Sequence, residues 1–393
     1  MKIEMIQKKL SIDEYFESMG IKACHSRNGF WKHAANVDSS LAEKLEPLFT
    51  RKMKGNIYEL KNQSLPFSLA VESWTMSFHL AFLNWVNGQE KLKPKRILEI
   101  GCDNGLLACW YATHFPDAEI VGIDREANSI HCAKQLAMQL EVDNVRFLQM
   151  DFSELKQGFS SNSFDLIISV RTFHEIMGPI LISRYWSLTE YLKGNPTYGD
   201  RKYLQIVDHL LSEDGTYLSC ERLENPADLG KWANALHEAN LNVGWDESEI
   251  IEYQELGIRK RSPIILATKS KAGRATLDGI EHLCMKHQDV VLEAGNSYSG
   301  VAAEFAFHRL GKKKFHTGQY LDVTNHWHEY RFEIWETMNF LLVYCYGNMG
   351  HRQLEILPGG AFSEARLLLQ ESMKLFHHLG SIVHYKSMEE CQE

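Results

Sequence analysis

Residues 96–107, RILEIGCDNGLL, join an apolar run to a turn that contains two glycines. The run from Arg96 to Ile100 has the length of a buried strand, and helical spacing of apolar residues follows from Leu106 to His114. Glycines between a strand and a helix let the backbone approach a ligand closely, and the free amides at the start of the helix can bind an anionic group. The segment therefore predicts a ligand-binding turn between a strand and a helix.

The sequence on both sides of this turn alternates short apolar runs with amphipathic stretches of helical length. Further apolar runs lie at 119–124, 144–151, 163–170 and 215–220, and residues 127–140 have the pattern of a helix. Two more runs, at 250–253 and 263–268, follow without an obvious helix between them. This order is typical of an α/β protein with a parallel sheet. We expect a Rossmann-like, seven-stranded, mostly parallel sheet.

Two of the predicted strands end in an aspartate, Asp124 and Asp151. Open α/β sheets bind ligands at the carboxyl ends of their strands. There Asp124 could accept hydrogen bonds from both hydroxyls of a ribose, and Asp151 could accept one from an exocyclic amine. A nicotinamide site would require G-x-G-x-x-G, but Asp103 and Leu106 stand at its second and third glycine positions. A turn without a ligand would leave the two acids unexplained.

These motifs resemble those of the class I S-adenosylmethionine-dependent methyltransferases. The family pattern E/D-x-G-x-G-x-G is matched from Glu99 to Gly105, except that Asp103 replaces the middle glycine. GIDRE around Asp124, MDF around Asp151 and SFDLIISV at 163–170 also match, whereas LSEDGTYL at 211–218 has both inner positions of the family's fifth-strand turn changed. The resemblance covers roughly residues 61–270. It implies S-adenosyl-L-methionine as the cofactor and methyl transfer as the reaction.

The resemblance also implies which residues hold the cofactor. Gly101 to Gly105 would surround the methionine moiety, Asp124 would hold the ribose, and Asp151 with Phe152 would flank the adenine. Asp103 would either adopt a left-handed conformation, as aspartate can, or direct its carboxylate at the cofactor's ammonium group. The predicted cofactor site comprises Glu99, Gly101, Cys102, Asp103, Gly105, Asp124, Arg125, Asp151 and Phe152.

Catalytic candidates follow the fourth strand in VRTFHEIM, residues 170–177. This segment resembles L-H-H or L-H-D in many small-molecule methyltransferases, in whose phenolic O-methyltransferases the matching histidine is the general base. We therefore predict His174 as a base, with Glu175 orienting it or contacting the substrate. The alternative is that His174 only packs against or caps the helix beneath the cofactor.

The acceptor is predicted from charge and from one missing motif. The chain has 42 Lys and Arg against 51 Asp and Glu, a formal net charge of −9, which disfavours a broad basic surface for duplex DNA. No N/D-P-P-Y/F tetrapeptide follows the fourth strand, which argues against amino methylation of DNA. We expect an oxygen or nitrogen nucleophile on a small molecule. A tRNA or protein acceptor, or a non-catalytic module that binds S-adenosylmethionine, are the alternatives.

The pattern of apolar and polar residues changes along the chain. It predicts a helical segment at 1–60, the methyltransferase domain at 61–270 and an accessory α+β domain at 275–393. In the last, runs at 330–334, 340–346 and 353–357 predict an antiparallel meander, and the apolar face from Phe362 to Phe376 predicts a covering helix. Two further segments leave alternatives open. Trp74, Phe78 and Phe82 could cover the acceptor pocket or belong to the core, and residues 185–203 could form a mobile lid or an ordinary loop.

Other features predict the compartment and the absence of a metal. The chain has no apolar run of about 18 residues and no secretory signal, so we expect no membrane span and a cytoplasmic location. Eight cysteines without a CxxC pair favour free buried thiols. His326 and His328 could supply two zinc ligands, but no third is evident, so we predict no metal site.

Overall fold

The computed structural model describes residues 11–179, 181, 183–223, 225–270, 275–287, 290–323, 328–376, 378 and 380–385. The chain forms two compact units. The first comprises Met1–Gly178, Asp200–Arg222 and Leu236–Ala272, and the second comprises Pro179–Gly199, Leu223–Ala235 and Gly273–Glu393. The chain thus enters the second unit three times, whereas the division at 60, 270 and 275 follows the chain in a single pass. That division stays a prediction.

From residue 11, where the described part of the chain begins, six helices precede the first strand. Ser11, Ser26, Asp38 and Asn56 each accept a backbone N–H at the start of a helix, which satisfies donors that the helix itself cannot. Phe78 and Phe82 are fully buried, so the face that carries them is core rather than an open pocket wall. The helices are α1 Ile12–Ser18, α2 Arg27–Val37, α3 Ser39–Phe49, α4 Ile57–Lys61, α5 Leu65–Glu72 and α6 Met76–Asn87.

The first unit contains the predicted α/β sheet, with eight strands instead of seven. Strands β1 to β5 pair in parallel, and β8 is antiparallel to β5. The strand order is β3-β2-β1-β4-β5-β8-β6, with β7 paired to β8. The strands are β1 Arg96–Ile100, β2 Glu119–Asp124, β3 Val145–Gln149, β4 Phe164–Val170, β5 Leu211–Cys220, β6 Asn242–Val243, β7 Glu249–Glu255 and β8 Ile258–Thr268.

The extra strand comes from the end of the sheet. The runs at 250–253 and 263–268 are strands as predicted, but they form a hairpin, β7 and β8. The additional pairing with β8 comes from β6, whose two residues are too short to give an apolar run. The turn expected at 212–215 lies within β5, where the pairing with β4 shifts register between Phe164 and Leu166.

Helices connect the strands, and Pro226 opens α13, with Asn225 Oδ1 accepting the N–H of Asp228 at 2.9 Å. A 3-10 turn, Phe152–Glu154, follows β3. The order reverses at β1, whose neighbours β2 and β4 lie on opposite sides, so the carboxyl end of β1 is the place where such sheets bind ligands. The helices are α7 Leu106–His114, α8 Ala127–Gln139, α9 Leu155–Gly158, α10 Phe173–Met177, α11 Leu188–Lys193, α12 Arg201–Leu210 and α13 Pro226–Glu238.

The second unit contains an antiparallel sheet in the order β14-β10-β11-β12-β13-β9. The meander β11-β12-β13 and the helix after it confirm the prediction, and Ala365 and Leu369 of that helix are buried in the same cluster as Leu341 and Val343. The elements are α14 Thr276–Met285, β9 Ser297–Ser299, α15 Gly300–Arg309, β10 Lys314–Val323, β11 His328–Glu336, β12 Phe340–Gly347, β13 Arg352–Pro358, α16 Phe362–Lys374 and β14 Ser381–Tyr385.

The insertion at 185–203 begins inside the second unit. The N–H of Tyr185 donates to the carbonyl of Asn348 at 2.7 Å, and Arg352 donates to the carbonyl of Trp186 at 2.6 Å. The N–H of Leu188 donates to Glu304 at 2.8 Å. These bonds anchor residues 185–188, which argues against a mobile lid over this part of the insertion.

Within the described ranges, no helix is both long and apolar enough to cross a membrane. The same residues contain no group of three or more His, Cys, Asp or Glu side chains arranged to hold a metal ion; His326 lies outside them. Five cysteines are buried free thiols, namely Cys102, Cys109, Cys132, Cys220 and Cys345.

Candidate functional site

The turn between β1 and α7 holds three residues in the left-handed region of backbone space. Gly101, Asp103 and Gly105 have φ values of +70°, +47° and +77°. The N–H groups of Gly101 and Cys102 both donate to the carbonyl of Ile123 at 2.9 Å, which joins the turn to the end of β2. Glycine adopts such φ values freely, and aspartate tolerates them better than most residues. Of the two alternatives stated for Asp103, the left-handed conformation is the one that its φ value shows.

Space also requires glycine at both ends of the turn. A Cβ atom on Gly101 would lie 2.5 Å from Cγ2 of Thr172, and one on Gly105 would lie 2.8 Å from Cβ of Ala133 and from the ring of Phe147. Contacts this short do not occur between real side chains, so a larger residue would displace its neighbours. The backbone of the turn is thus packed closely between Thr172, two residues after β4, and Ala133 on α8.

Asp103 directs its carboxylate towards the region before β1. Oδ2 forms an ion pair with Lys61, and Oδ1 accepts hydrogen bonds from Asn62 Nδ2 at 2.7 Å and from Ser129 Oγ at 3.3 Å. The contact of Asp103 with a cofactor ammonium group stays a prediction. The ammonium group of Lys61 already compensates the negative charge of this carboxylate.

Asn104, the next residue of the turn, is buried and bonded to the same region. Its Nδ2 donates to Ser68 Oγ at 2.8 Å and to Glu72 Oε1 at 3.0 Å, and its Oδ1 accepts the N–H of Leu106 at 3.2 Å. Glu72 also forms an ion pair with Lys61. The side chains of Asp103 and Asn104 are therefore both held by residues outside the sheet. We call Lys61, Asn62, Ser68 and Glu72 the α4–α5 cluster.

In the α4–α5 cluster, the charged forms of Lys61 and Glu72 are favoured despite their burial. Burial opposes the charged form of Lys61, but Asp103 and Glu72 raise its pKa above the usual range. Burial likewise opposes ionisation of Glu72, but the Lys61 ammonium lowers its pKa. The sequence pattern alone predicted no role for this cluster. The available signal was the lysine and glutamate on either side of the apolar run 65–71, since buried opposite charges are normally paired.

Asp124 lies at the end of β2, beside the turn. Its Oδ2 accepts the N–H of Asp103 at 3.0 Å, and its Oδ1 accepts the N–H of Glu126 at 2.9 Å. Burial and the nearby charge of Asp103 raise the pKa of Asp124 to about 6, although both hydrogen bonds act in the opposite direction. Each oxygen retains a second lone pair, which a ligand hydroxyl could use.

Glu99, on β1, is a buried carboxyl with an unused oxygen. Its Oε2 has no hydrogen-bond partner among the described residues. Burial, together with Asp103 and Asp124, raises the pKa of Glu99 well above its usual range. Cys102 is also buried, and burial raises the pKa of its thiol. An unsatisfied buried group beside the turn is a feature that a bound ligand can satisfy.

The third predicted acid, Asp151, lies two residues beyond β3 and caps the 3-10 turn. Its Oδ1 accepts hydrogen bonds from the N–H and the hydroxyl of Ser153, at 2.9 and 2.6 Å, and these bonds lower its pKa. Phe152 is buried with its ring edge-on to Phe173, 5.5 Å between centroids. Arg125 is exposed, and its charge also contributes to the lowered pKa of Asp151.

His174 and Glu175 lie on α10, just after β4. His174 Nε2 is 3.2 Å from Glu175 Oε1, and this hydrogen bond lowers the pKa of Glu175. Nδ1 of His174 is buried and has no partner among the described residues. A carboxylate on Nε2 favours the tautomer that carries its proton there, which leaves Nδ1 as the acceptor.

A residue that was not predicted from the sequence, Glu221, supports α10. Glu221 directly follows β5 and is buried, and its Oε2 accepts the N–H groups of Thr172 and Phe173 at 2.9 and 3.0 Å. Its Oε1 accepts the hydroxyl of Ser169 at 2.7 Å. Burial outweighs these bonds and raises the pKa of Glu221. An acid directly after a strand, as at Asp124, was the signal that could have identified it.

Comparison with known proteins identifies the segment that carries this site. Residues 91–263 match a family described as a methyltransferase domain. Malonyl-[acyl-carrier protein] O-methyltransferase of Paenibacillus sp. is 33% identical over 93 residues, 24% of this chain and 34% of that protein. Release factor glutamine methyltransferase of Escherichia coli is 32% identical over 77 residues, 20% of this chain and 27% of that protein. The chain therefore spans about a third or less of the length of these curated relatives.

Among solved structures, a SAM-dependent methyltransferase from Aquifex aeolicus aligns with 44% of this chain and 81% of its own, at 17% identity and a TM-score of 0.30. The family match begins just before β1 and includes the turn, Asp124, Asp151 and His174. Residues 91–263 therefore resemble a methyltransferase domain, and the strand order of the first sheet is that of a Rossmann-like fold.

Proposed function

We propose that the whole protein is a methyltransferase that moves the methyl group of S-adenosyl-L-methionine to an oxygen or nitrogen of a small molecule. The observation that carries this proposal is the placement of the glycine turn, Asp124 and Asp151 after three adjacent strands, β1, β2 and β3. A methionine, a ribose and an adenine follow one another in the cofactor in the same order.

Each part of the site has a proposed contact. Gly101 to Gly105 surround the methionine moiety, with Glu99 and Cys102 beside it. Asp124 accepts hydrogen bonds from the ribose hydroxyls through its remaining lone pairs. Asp151 uses Oδ2 for the adenine amine, because Ser153 occupies Oδ1. Phe152 and Arg125 flank the adenine.

The cofactor supplies a methyl group on a sulfonium, which reacts by direct displacement. The chain has to align the acceptor and exclude water. His174 takes the acceptor's proton at Nδ1, while ionised Glu175 holds Nε2–H and stabilises the imidazolium that forms. Glu221 fixes the backbone of α10 and thereby the position of His174.

A small-molecule acceptor is supported by three features. The net charge of −9 does not favour a large polyanion. The F-H-E segment at 173–175 resembles that of small-molecule O-methyltransferases. One relative, of Paracidovorax citrulli, is by its name a ubiquinone biosynthesis O-methyltransferase.

Two measurements test the proposal. Calorimetric titration of the protein with S-adenosylmethionine and its demethylated product should give saturable binding that Gly101→Arg abolishes. Incubation with isotopically labelled methyl donor and a cell extract should place label in the metabolite fraction. Absence of heat, thermal shift and competition for both ligands would refute cofactor binding, and binding without label in any fraction would indicate a non-catalytic module.

A protein or tRNA acceptor is the second candidate. It is favoured by the second unit, most of which lies outside the matched segment 91–263, and by a relative named for methylating a release-factor glutamine. Label in the protein or RNA fraction would support it. Retention of the protein on RNA that weakens steeply with salt would separate an RNA acceptor from a protein.

A further inference from the structure

We infer that Lys61 is a positioning residue of the cofactor site, which acts through Asp103 on the turn from Gly101 to Gly105. Lys61 lies 30 residues before the start of the matched segment 91–263. The region before β1 would then supply part of the cofactor site that the methyltransferase segment does not itself contain. This inference rests on the proposed function, because it concerns the same ligand.

Lys61 is buried and lies between two carboxylates. Its side chain is only 8% exposed, and its ammonium pairs with both Glu72 and Asp103. Glu72 in turn accepts a hydrogen bond from Asn104 at 3.0 Å. One buried cation therefore connects α5 to two consecutive residues of the turn. A long lysine side chain loses considerable rotamer freedom when it is held in this way, so the arrangement requires strong partners.

The turn contains a negative charge, that of Asp103, which Lys61 compensates. Asp103 donates its N–H to Asp124, and its negative charge contributes to the raised pKa values of both Asp124 and Glu99. Lys61 is the cation paired with Asp103. Without this cation the turn would carry an uncompensated, largely buried carboxylate beside Asp124, and removal of one partner from a buried pair is strongly destabilising. The carboxylate of Asp103 would then keep only its hydrogen bonds from Asn62 and Ser129, both to Oδ1, and would be held less firmly in its present position.

Ligands with and without the amino-acid end can distinguish a local effect of Lys61 on the turn from a general effect on folding. In the proposed site the turn surrounds the methionine end, whereas Asp124, Asp151 and Phe152 hold the nucleoside. A change confined to the turn should weaken S-adenosylhomocysteine, which carries the amino-acid end. It should leave 5′-methylthioadenosine, which lacks that end, nearly unaffected.

The test compares these two ligands by calorimetry in Lys61→Met. We expect the Kd of S-adenosylhomocysteine to rise about tenfold, within the coupling found for residues of one ion-pair network, and that of 5′-methylthioadenosine to change less than about twofold. Lys61→Arg should restore most of the difference, because it keeps the charge. In the Asp103→Asn background, Lys61→Met should have a smaller effect than in the native chain. Lys44→Met, at an exposed position on α3, is the matched control.

The outcomes separate the inference from the proposed function. If the native protein binds neither ligand, the proposed function fails. If it binds both and Lys61→Met changes neither, or weakens both equally, the inference is overturned and the proposed function stands. If Lys61→Met does not fold, Asp103→Asn takes its place, and equal losses for the two ligands would again overturn the inference.

Discussion

Asp124 combines two opposing influences on a single carboxylate. Burial and Asp103 favour its neutral form, whereas the N–H groups of Asp103 and Glu126 favour its charged form. The balance places its pKa at about 6, against 3.8 for an ordinary aspartate. The proposed contact with two ribose hydroxyls needs the charged form as acceptor, so cofactor binding should depend on pH near neutrality.

The first prediction follows from that pKa. With a pKa of about 6 for Asp124, about nine tenths of the group is protonated at pH 5. The Kd of S-adenosylhomocysteine should therefore rise roughly tenfold between pH 8 and pH 5, as measured by calorimetry. In Asp124→Asn the affinity should be weak and nearly independent of pH; a pH profile as steep as that of the native protein would assign the titration to another group.

The raised pKa of Asp124 also affects folding stability, but there the charged form is unfavourable. Because the pKa of Asp124 is higher in the folded than in the unfolded chain, ionisation of this group opposes folding. Its contribution to stability is complete below about pH 4 and is lost as the pH rises to about 6. Urea unfolding without ligand at pH 7.5 should therefore show Asp124→Asn to be at least as stable as the native protein.

The second prediction concerns His174. General-base catalysis contributes about 100-fold or more, so His174→Ala should lower kcat by about that factor and leave the Kd of S-adenosylhomocysteine unchanged. Glu175→Gln, which keeps the hydrogen bond but removes the charge, should lower kcat less. Unchanged turnover in His174→Ala would leave the histidine only a packing or capping role.

At the scale of elements, the turn between β1 and α7 is restricted by its backbone and by its neighbours. Its φ values are those of glycine, and a Cβ on Gly101 would meet Thr172, whose hydroxyl is itself bonded to the carbonyls of Ile100 and Val170 at 3.2 and 3.0 Å. Thr172 is therefore poorly able to move aside.

The third prediction compares two glycines with similar φ. Gly20 has φ +73° and no atom within 4 Å of a Cβ, whereas Gly101 has φ +70° and meets Thr172 at 2.5 Å. Gly20→Ala should cost about 1–2 kcal/mol of unfolding free energy from the left-handed conformation alone. Gly101→Ala should cost clearly more in urea unfolding. Thr172→Ser, which removes Cγ2, should recover part of the excess; equal costs at the two glycines would show that the contact is relaxed cheaply.

Much of the first sheet was predictable because its strands are continuous apolar runs and its turns use residues of special conformation. Glycine at 101 and 105, aspartate at 103 and the Asn225-Pro226 helix start each satisfy a local backbone requirement. The meander after residue 328 was predictable for the same reason, since its apolar residues alternate. These features depend on neighbours in the sequence.

The features that sequence analysis missed depend on distant partners. Strand β6 has only two residues and no pattern, and β10 is polar enough to be read as a loop. Lys61 meets Asp103 across 42 positions, and Glu221 meets Thr172 across 49. Only the folded chain brings these charged groups together, so their roles could not be assigned from spacing.

At the scale of the whole molecule, the second unit is organised around a buried ion pair. Arg352 and Glu304 are 3% and 5% exposed, and they hold the backbone of Trp186 and Leu188 at 2.6 and 2.8 Å. The pair thereby connects β13 and α15 to a stretch that lies more than a hundred residues earlier in the chain.

The fourth prediction is that Arg352→Met destabilises the protein by about 3–5 kcal/mol, because it leaves Glu304 buried without its cation. The matched control is Arg309→Met. Arg309 pairs with Glu281 at 2.5 Å, but its side chain is 46% exposed, so its loss should cost less than about 1 kcal/mol. Urea unfolding measures both; similar costs would mean that the buried pair is no more valuable than an exposed one.

The threefold entry of the chain into the second unit has a consequence for gene recombination. A crossover after codon 272, at the boundary expected from a division in sequence order, would replace Gly273–Glu393 with the corresponding segment of another gene. The stretches Pro179–Gly199 and Leu223–Ala235 would remain from the old parent. The hydrogen bonds of residues 185–188 to Asn348, Arg352 and Glu304 would survive only if the incoming gene encoded the same partners. The two units should therefore be inherited together, and evolutionary trees computed separately from the two units should have the same branching order.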